Sequence, residues 1–395
     1  MESTTGRKQR LSQTVQHIKP SGIRRFFDMA STMEDVISLG VGEPDFVTPW
    51  NVREASILSM ERGYTAYTAN AGMLELRKEI ARYLEDRFDT PYNPESEIVV
   101  TVGASEAIDI AVRAIVDPGE EVIVVEPSFV SYAPIVSLAG GVPVSVQTKK
   151  ENGFKLTPAE LKEAITPKTK AVIVCFPNNP TGTILEESEL LELSAVIKEH
   201  DLMVISDEIY AELSYDTKHY SFPKIEGMKD RTILISGFSK AFAMTGWRVG
   251  YVCAPEDISA AMLKIHQYTM MCASTLAQFG ALEALRDGQD DVKRMVISYR
   301  QRRNYMIEAF KEIGLDCHVP GGAFYLFPSI QNTGLNSEEF AEQLLKEEQV
   351  AVVPGSVFGE GGEGYVRCSY ATSMDSLKTA VSRIERFLSK RKAAQ

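Results

Sequence analysis

The sequence predicts an α/β fold: a mostly parallel, seven-stranded central sheet with helices on both faces, plus a smaller α+β domain. Three observations predict it. Short β-branched runs recur between residues 98 and 253, and amphipathic stretches such as Glu187 to His200 separate several of them. Those runs are continuously apolar rather than alternating, which implies that both faces of the sheet are covered. At 395 residues the chain is also too long for one compact core, so two domains are the expectation.

The first strand is expected at Ile98 to Thr101, followed by a turn at Gly103 and a helix opening at Ser105. Glu121 to Val125, Val142 to Val146, Ala171 to Cys175, Leu202 to Ser206, Thr232 to Ser236 and Val249 to Cys253 supply the other six. After Met262 the pattern turns long and helical to about Ile313, which suits a helix bridging two domains. Gly321-Gly322 breaks it. A strand (Ala323 to Phe327), a helix (Ser337 to Glu347), two strands (Val350 to Val353, Gly364 to Ser369) and a last helix (Met374 to Lys390) complete a compact α+β unit. The division expected is an N-terminal arm and small-domain segment over 1–45, a large domain over 46–285 and a small C-terminal domain over 286–395. The first segment, with its turn-rich Gly40 to Asp45, is expected to pack beside the C-terminal unit.

Charge and composition exclude several classes. With 54 acidic against 42 basic residues, the net charge of −12 argues against a nucleic-acid surface. Apolar runs such as Ala171 to Phe176 are far too short to span a bilayer, and no apolar stretch follows Arg7, Lys8 and Arg10 as a secretory signal requires. The five cysteines are scattered and form no CxxC pair, so free thiols in a reducing cytoplasm are the expectation. Neither they nor the five histidines show metal-ligand spacing, and no metal is expected. The glycines from Gly359 to Gly364 miss the GxGxxG spacing and a strand-to-helix context, so they read as a loop.

In open α/β sheets ligands bind beyond the carboxyl ends of the strands, so the residues just past each strand are informative. Gly103-Ala104-Ser105 comes after the first and Glu126-Pro127-Ser128-Phe129 after the second. Pro177 to Gly182 comes after the fourth, Asp207-Glu208-Ile209-Tyr210 after the fifth and Gly237-Phe238-Ser239-Lys240 after the sixth. Singly these are ordinary: an Asn-Pro-Thr-Gly turn, an Asp at a helix start, a lone Ser-Lys pair. Together, in order and on one sheet edge, they match the needs of a pyridoxal-5′-phosphate site. The phosphate wants exposed N–H groups at a helix start and a hydroxyl, from Ala104 and Ser105, completed by the Arg248 cation. The aldehyde wants an amine, from Lys240. The pyridine nitrogen stays protonated beside a carboxylate, for which Asp207 is placed. Asn179 and Tyr210 offer donors to the phenolic oxygen, and Phe129 a ring to stack on the pyridine face.

The blocks SLGVGEPDF (Ser38 to Phe46), YTANAG (Tyr67 to Gly72), PNNPTG (Pro177 to Gly182), SDEIY (Ser206 to Tyr210) and SGFSKAFAMTGWRVG (Ser236 to Gly250) resemble the signature blocks of the fold-type I pyridoxal phosphate enzymes, class I/II aminotransferases. The run Phe242 to Arg248 resembles the bacterial subgroup of aspartate, alanine and aromatic aminotransferases. The resemblance implies that Lys240 carries the cofactor and moves the substrate proton. It implies that Asp207 pairs with the ring nitrogen, that Tyr210 and Asn179 bond the phenolic oxygen, and that Phe129 stacks. It further implies that Arg367 grips the substrate α-carboxylate with help from the Gly42 N–H. Tyr67 is implied to reach the phosphate of a neighbouring subunit, hence a homodimer with shared sites. One position departs from the pattern: Gly237 stands where several relatives have a phosphate-binding serine, leaving Ser239 or Ser236 to compensate.

The expected reaction is a ping-pong exchange of an amino group between an L-amino acid and a 2-oxo acid. 2-Oxoglutarate/glutamate forms one pair, with alanine, aspartate or an aromatic amino acid as partner. Arg24 and Arg25 are candidates to close over the pocket. A C–S β-lyase on the same lysine and arginine is the alternative. A cofactor-sensing regulator is the remote one, since no basic cluster or added DNA-binding segment stands before residue 40.

Overall fold

The computed structural model describes residues 10–20, 22–31 and 33–392, with the side chains of residues 24–28 and 392 outside that description. Arg24 and Arg25, candidates for closing the pocket, therefore fall outside the described side chains, as do residues 1–9 of the arm.

The central sheet is built from β1 (Ile98–Thr101), β2 (Glu121–Glu126), β3 (Val142–Gln147), β4 (Thr169–Cys175), β5 (Met203–Asp207), β6 (Thr232–Gly237) and β7 (Gly250–Cys253). Their order across the sheet is β1-β7-β6-β5-β4-β2-β3. Only β7 runs against its neighbours, β1 and β6; the remaining pairs are parallel. The reason is the connection. A parallel return needs a long crossover, usually a helix, and the chain between β6 and β7 holds only the short 3₁₀ turn Thr245–Trp247. That segment leaves β6 and enters β7 at the same sheet edge, where the parallel strands also end.

The continuous apolar runs are explained by two covers. Val122, Val124, Ala171 and Ile173 face one buried cluster, with helix Ala104–Ile115. Their alternates Ile123, Val125, Val172 and Val174 face another, with helix Glu187–Glu199. Successive strand residues point to opposite faces, so a sheet covered twice requires apolar residues at every position.

Two expected elements are subdivided. The long helical stretch after Met262 is three helices, Glu256–Thr269, Thr275–Asp287 and Gln289–Glu312. The first break is made by Met271 at φ +70° and by Ser274, whose side chain caps the next helix by accepting from the Ala277 N–H. Gly288 makes the second. The expected strand Val350 to Val353 is two short pieces serving different partners. Val350–Ala351 pairs in parallel with Ile37–Ser38. Val353–Pro354 joins an antiparallel sheet whose middle strand is Val366–Ser369 and whose other edge is Tyr325–Leu326. The N-terminal segment thus lies against the C-terminal unit by backbone pairing.

Candidate active site

A cavity of about 770 Å³ opens at the sheet edge where the parallel strands end. Gly42, Ala104, Ser105, Phe129, Asn179, Asp207, Tyr210, Ser239, Lys240, Arg248 and Arg367 all line it. They come from the strand-end loops, the N-terminal segment and the small antiparallel sheet. Two expected site residues do not line it. Gly103 sits directly behind, and Tyr67 is 80% exposed on the outer surface.

Lys240, three residues beyond β6, donates from Nζ to the Gly42 carbonyl at 2.5 Å. Burial pushes its amine down to about 8; the Arg367 and Arg248 charges add to the fall, and Glu43 and Asp207 oppose it. Such an amine gives up its proton far more readily than an exposed lysine, as a nucleophile or proton acceptor must. Asp207, the last residue of β5, is buried and accepts from Tyr132 Oη at 2.7 Å and from the Ile209 N–H at 3.2 Å. Burial pushes its carboxyl up to about 6 despite those donors.

Arg367 stands in the middle strand of the small sheet with its side chain almost wholly buried. Nη1 donates to Asn179 Oδ1 at 2.8 Å and Nη2 to the Gly40 carbonyl at 2.7 Å. The guanidinium lies 4.4 Å from the Tyr325 ring centroid and 5.0 Å from that of Phe358. Its Nε is buried without a partner. A buried, aromatic-flanked cation with an unused N–H is built to receive an anion, and the planar fork suits a carboxylate.

At the other end of the cavity, helix Ala104–Ile115 begins after Gly103, which holds φ +79°. A Cβ at Gly103 would lie 2.7 Å from Arg248 Nη2, so the guanidinium and the helix start press together as only glycine permits. Free N–H groups, a positive helix end and a cation make an anion cradle. Of the two serines weighed against the departure at Gly237, Ser239 lines the cavity. Ser236 instead turns its hydroxyl to the Glu208 carbonyl at 3.4 Å. At Gly237 a Cβ would lie 2.9 Å from Gly250 Cα in β7, so any side chain there would press the two strands apart.

Sequence reasoning missed Tyr132, Tyr325, Glu43 and Thr245, which also line the cavity. Tyr132 lies three residues past Phe129, its ring edge-on to it at 5.6 Å, and supplies the Asp207 bond. Its place next to a strand-end loop was the available signal. Glu43 accepts from Thr245 Oγ1 at 2.8 Å. Tyr325 had no signal beyond a short strand prediction, because its role depends on a neighbour in another segment.

A buried lysine of lowered proton affinity, a buried carboxyl and an anion cradle at one sheet edge define a pyridoxal phosphate enzyme of the parallel-sheet type. The chain belongs to the class I and II aminotransferases, whose family model matches residues 34–384. It is 63% identical over 380 residues to YugH of Bacillus subtilis, named as an unproven aminotransferase, covering 96% of this chain and 98% of that one. It is 47% identical over 385 residues to an aspartate aminotransferase of Pyrococcus abyssi, covering 97% and 99% of the two chains. The solved aromatic aminotransferase from Pyrococcus horikoshii superposes with a TM-score of 0.89 at 46% identity, over 93% of this chain and 99% of that one. The protein is a transaminase that uses pyridoxal phosphate. The residues present fit that group: the Gly103–Arg248 contact leaves a cationic cradle, Asp207 is a buried carboxyl at the end of β5, and the cavity holds one amine of lowered proton affinity.

Proposed function

We propose that this transaminase works through Lys240, with Arg367 as the substrate-carboxylate receptor, exchanging an L-amino acid for a 2-oxo acid by a ping-pong route. The buried Arg367 guanidinium with its unpartnered Nε, in the same cavity as the Lys240 amine, carries the reading. When bound, pyridoxal phosphate supplies an aldehyde that accepts the amino group and a protonated ring that spreads the charge left at the substrate Cα. Gly103, Ala104, Ser105, Ser239 and Arg248 would hold the phosphate. Asp207, steadied by Tyr132, keeps the ring-nitrogen proton in place. Tyr210 and Asn179 Nδ2 would donate to the phenolic oxygen, and Phe129 would pack on the ring face. Arg367, with the Gly42 N–H, orients the amino acid so that Lys240 takes the Cα proton.

Glutamate and 2-oxoglutarate form one substrate pair on this reading, with aspartate, alanine or an aromatic amino acid as the other donor. Relatives named for aspartate and for aromatic amino acids support that range. The working unit is a homodimer in which Tyr67 reaches the neighbouring subunit's phosphate. The exposed large apolar side chains Trp50, Tyr67, Tyr268 and Met270 support it, since such exposure often marks a protein–protein contact. Among the described residues no helix is long and apolar enough to cross a membrane. Five free thiols, three of them buried, support a cytoplasmic setting.

Borohydride reduction of the coloured protein, followed by peptide mass analysis, tests the central assignment. A pyridoxyl adduct is expected on Lys240; an adduct elsewhere refutes it. In a screen of twenty amino acids without acceptor, true donors bleach the visible band and release their 2-oxo acid. Release of pyruvate and ammonia from cysteine conjugates would favour the lyase instead.

A further inference from the structure

We propose that Tyr325 is a positioning residue of this reaction, its hydroxyl directing the Tyr210 proton and its ring fixing the plane of Arg367. The inference rests on the roles assigned above to Tyr210 and Arg367.

Tyr325 touches three site elements that come from separate parts of the chain. Its hydroxyl lies 2.8 Å from that of Tyr210, in the loop after β5. Its ring centroid lies 4.4 Å from Arg367 Cζ, in the neighbouring antiparallel strand. A Cβ on Gly42 would fall 2.8 Å from its hydroxyl, so the N-terminal segment closes over it as well. The side chain is buried and lines the cavity.

Proton counting gives the hydroxyl pair a direction. Each phenol carries one hydrogen and can accept through its lone pairs. Burial pushes both Tyr210 and Tyr325 upward, so both keep that hydrogen at neutral pH. If Tyr210 donates to Tyr325, it has nothing left for the phenolic oxygen of the cofactor. Tyr325 must therefore donate to Tyr210 and Tyr210 onward, and a donor that itself accepts a hydrogen bond donates more strongly. The ring does separate work. Stacked under the guanidinium, it holds the plane in which Arg367 meets a carboxylate, attracting the cation through its face rather than its edge.

Two variants of the holoenzyme separate the functions. Tyr325→Phe keeps the ring and removes the hydroxyl. The pH midpoint of the visible band of the bound cofactor should rise by about 0.5 unit, because the phenolic oxygen loses support and holds protons more tightly. KM for amino acids should stay within about twofold, since the stack remains. Tyr325→Leu removes both, so the midpoint should rise equally and KM should increase about tenfold for every donor and acceptor alike. An unmoved midpoint in the Phe variant overturns the hydroxyl role. A Leu variant with unchanged KM, or a Phe variant whose KM rises as far, overturns the ring role. Wild-type protein that takes up no cofactor on Lys240 would instead fail the functional reading itself, so the two failures are distinguishable.

Discussion

Burying the Lys240 amine carries a stability cost as well as a chemical use. The folded protein releases that proton at about 8, while an exposed lysine keeps it to 10.5. Between those values the unfolded chain binds more protons, so stability of the cofactor-free protein rises with pH through that window. Below about pH 8 the whole penalty is present, on the order of 3 kcal/mol. Lys240→Met removes the charge and keeps the length. Cofactor-free Lys240→Met is expected to melt higher than cofactor-free wild type at pH 7, with the gap closing from pH 8 toward 10.5. Calorimetry across that range checks it; a gap that stays constant refutes the burial cost. Asp207 behaves oppositely: with its carboxyl raised to about 6, the folded state holds the extra proton, and stability falls as pH rises through the acid range toward 6. Both groups are unfavourable to the empty fold at neutral pH, a pattern that clusters where a site is built for chemistry.

At the scale of elements, the reversed strand β7 organises the site. Because the chain returns from β6 to β7 at one edge, Lys240 and Arg248 lie within one short connection beside the start of helix Ala104–Ile115. β7 also presses on that helix start: a Cβ at Gly250 would lie 2.8 Å from the Ala104 N and 3.0 Å from the Ser236 carbonyl. All of these are backbone atoms, so a methyl group there must move the cradle or the sheet. Gly250→Ala is expected to destabilise the protein by about 1–3 kcal/mol, as overpacking does. It should also weaken cofactor binding about tenfold or more, because displaced N–H groups aim less well at a phosphate. Thermal denaturation and cofactor titration measure the two effects. Normal affinity in a folded Gly250→Ala protein would detach the strand from the cradle.

For the whole molecule, the exposed Tyr67 and Tyr268 side chains bear on the proposed homodimer. Helices Trp50–Glu61 and Thr275–Asp287 pack together. Asn70 and Thr275 tie the loops around them by hydrogen bonds to the Met271 and Ala66 carbonyls, both 2.7 Å. Tyr67 and Tyr268 are then held outward, 80% and 84% exposed, on an ordered framework. If two chains meet there and Tyr67 crosses to the neighbour, hybrids made by mixing Lys240→Ala and Tyr67→Ala chains contain one complete site. Each hybrid should bind one cofactor with wild-type affinity, which neither parent does. Hybrids with no tight site would mean that Tyr67 serves its own subunit or none.

Strand number, the sheet's two-sided cover and most of the cavity lining were legible in the chain, because they are local. A buried strand shows itself as a continuous apolar run, and a residue at a strand end is placed by the strand before it. Lys240, Asp207, Asn179, Ser105 and Arg248 were readable on that ground. Tyr132 and Tyr325 were not, because their hydroxyls matter only through partners 75 and 115 residues away. The splitting of Val350 to Val353 between two sheets was equally hidden, since the choice of partner strand is made in space. The sequence alone determined which chemical groups reach the sheet edge and in what order. Tertiary structure decided which of them touch, how far burial moves the protons of Lys240 and Asp207, and how closely β7 approaches Gly237. Those depend on packing between segments distant in the chain, and no local pattern records it.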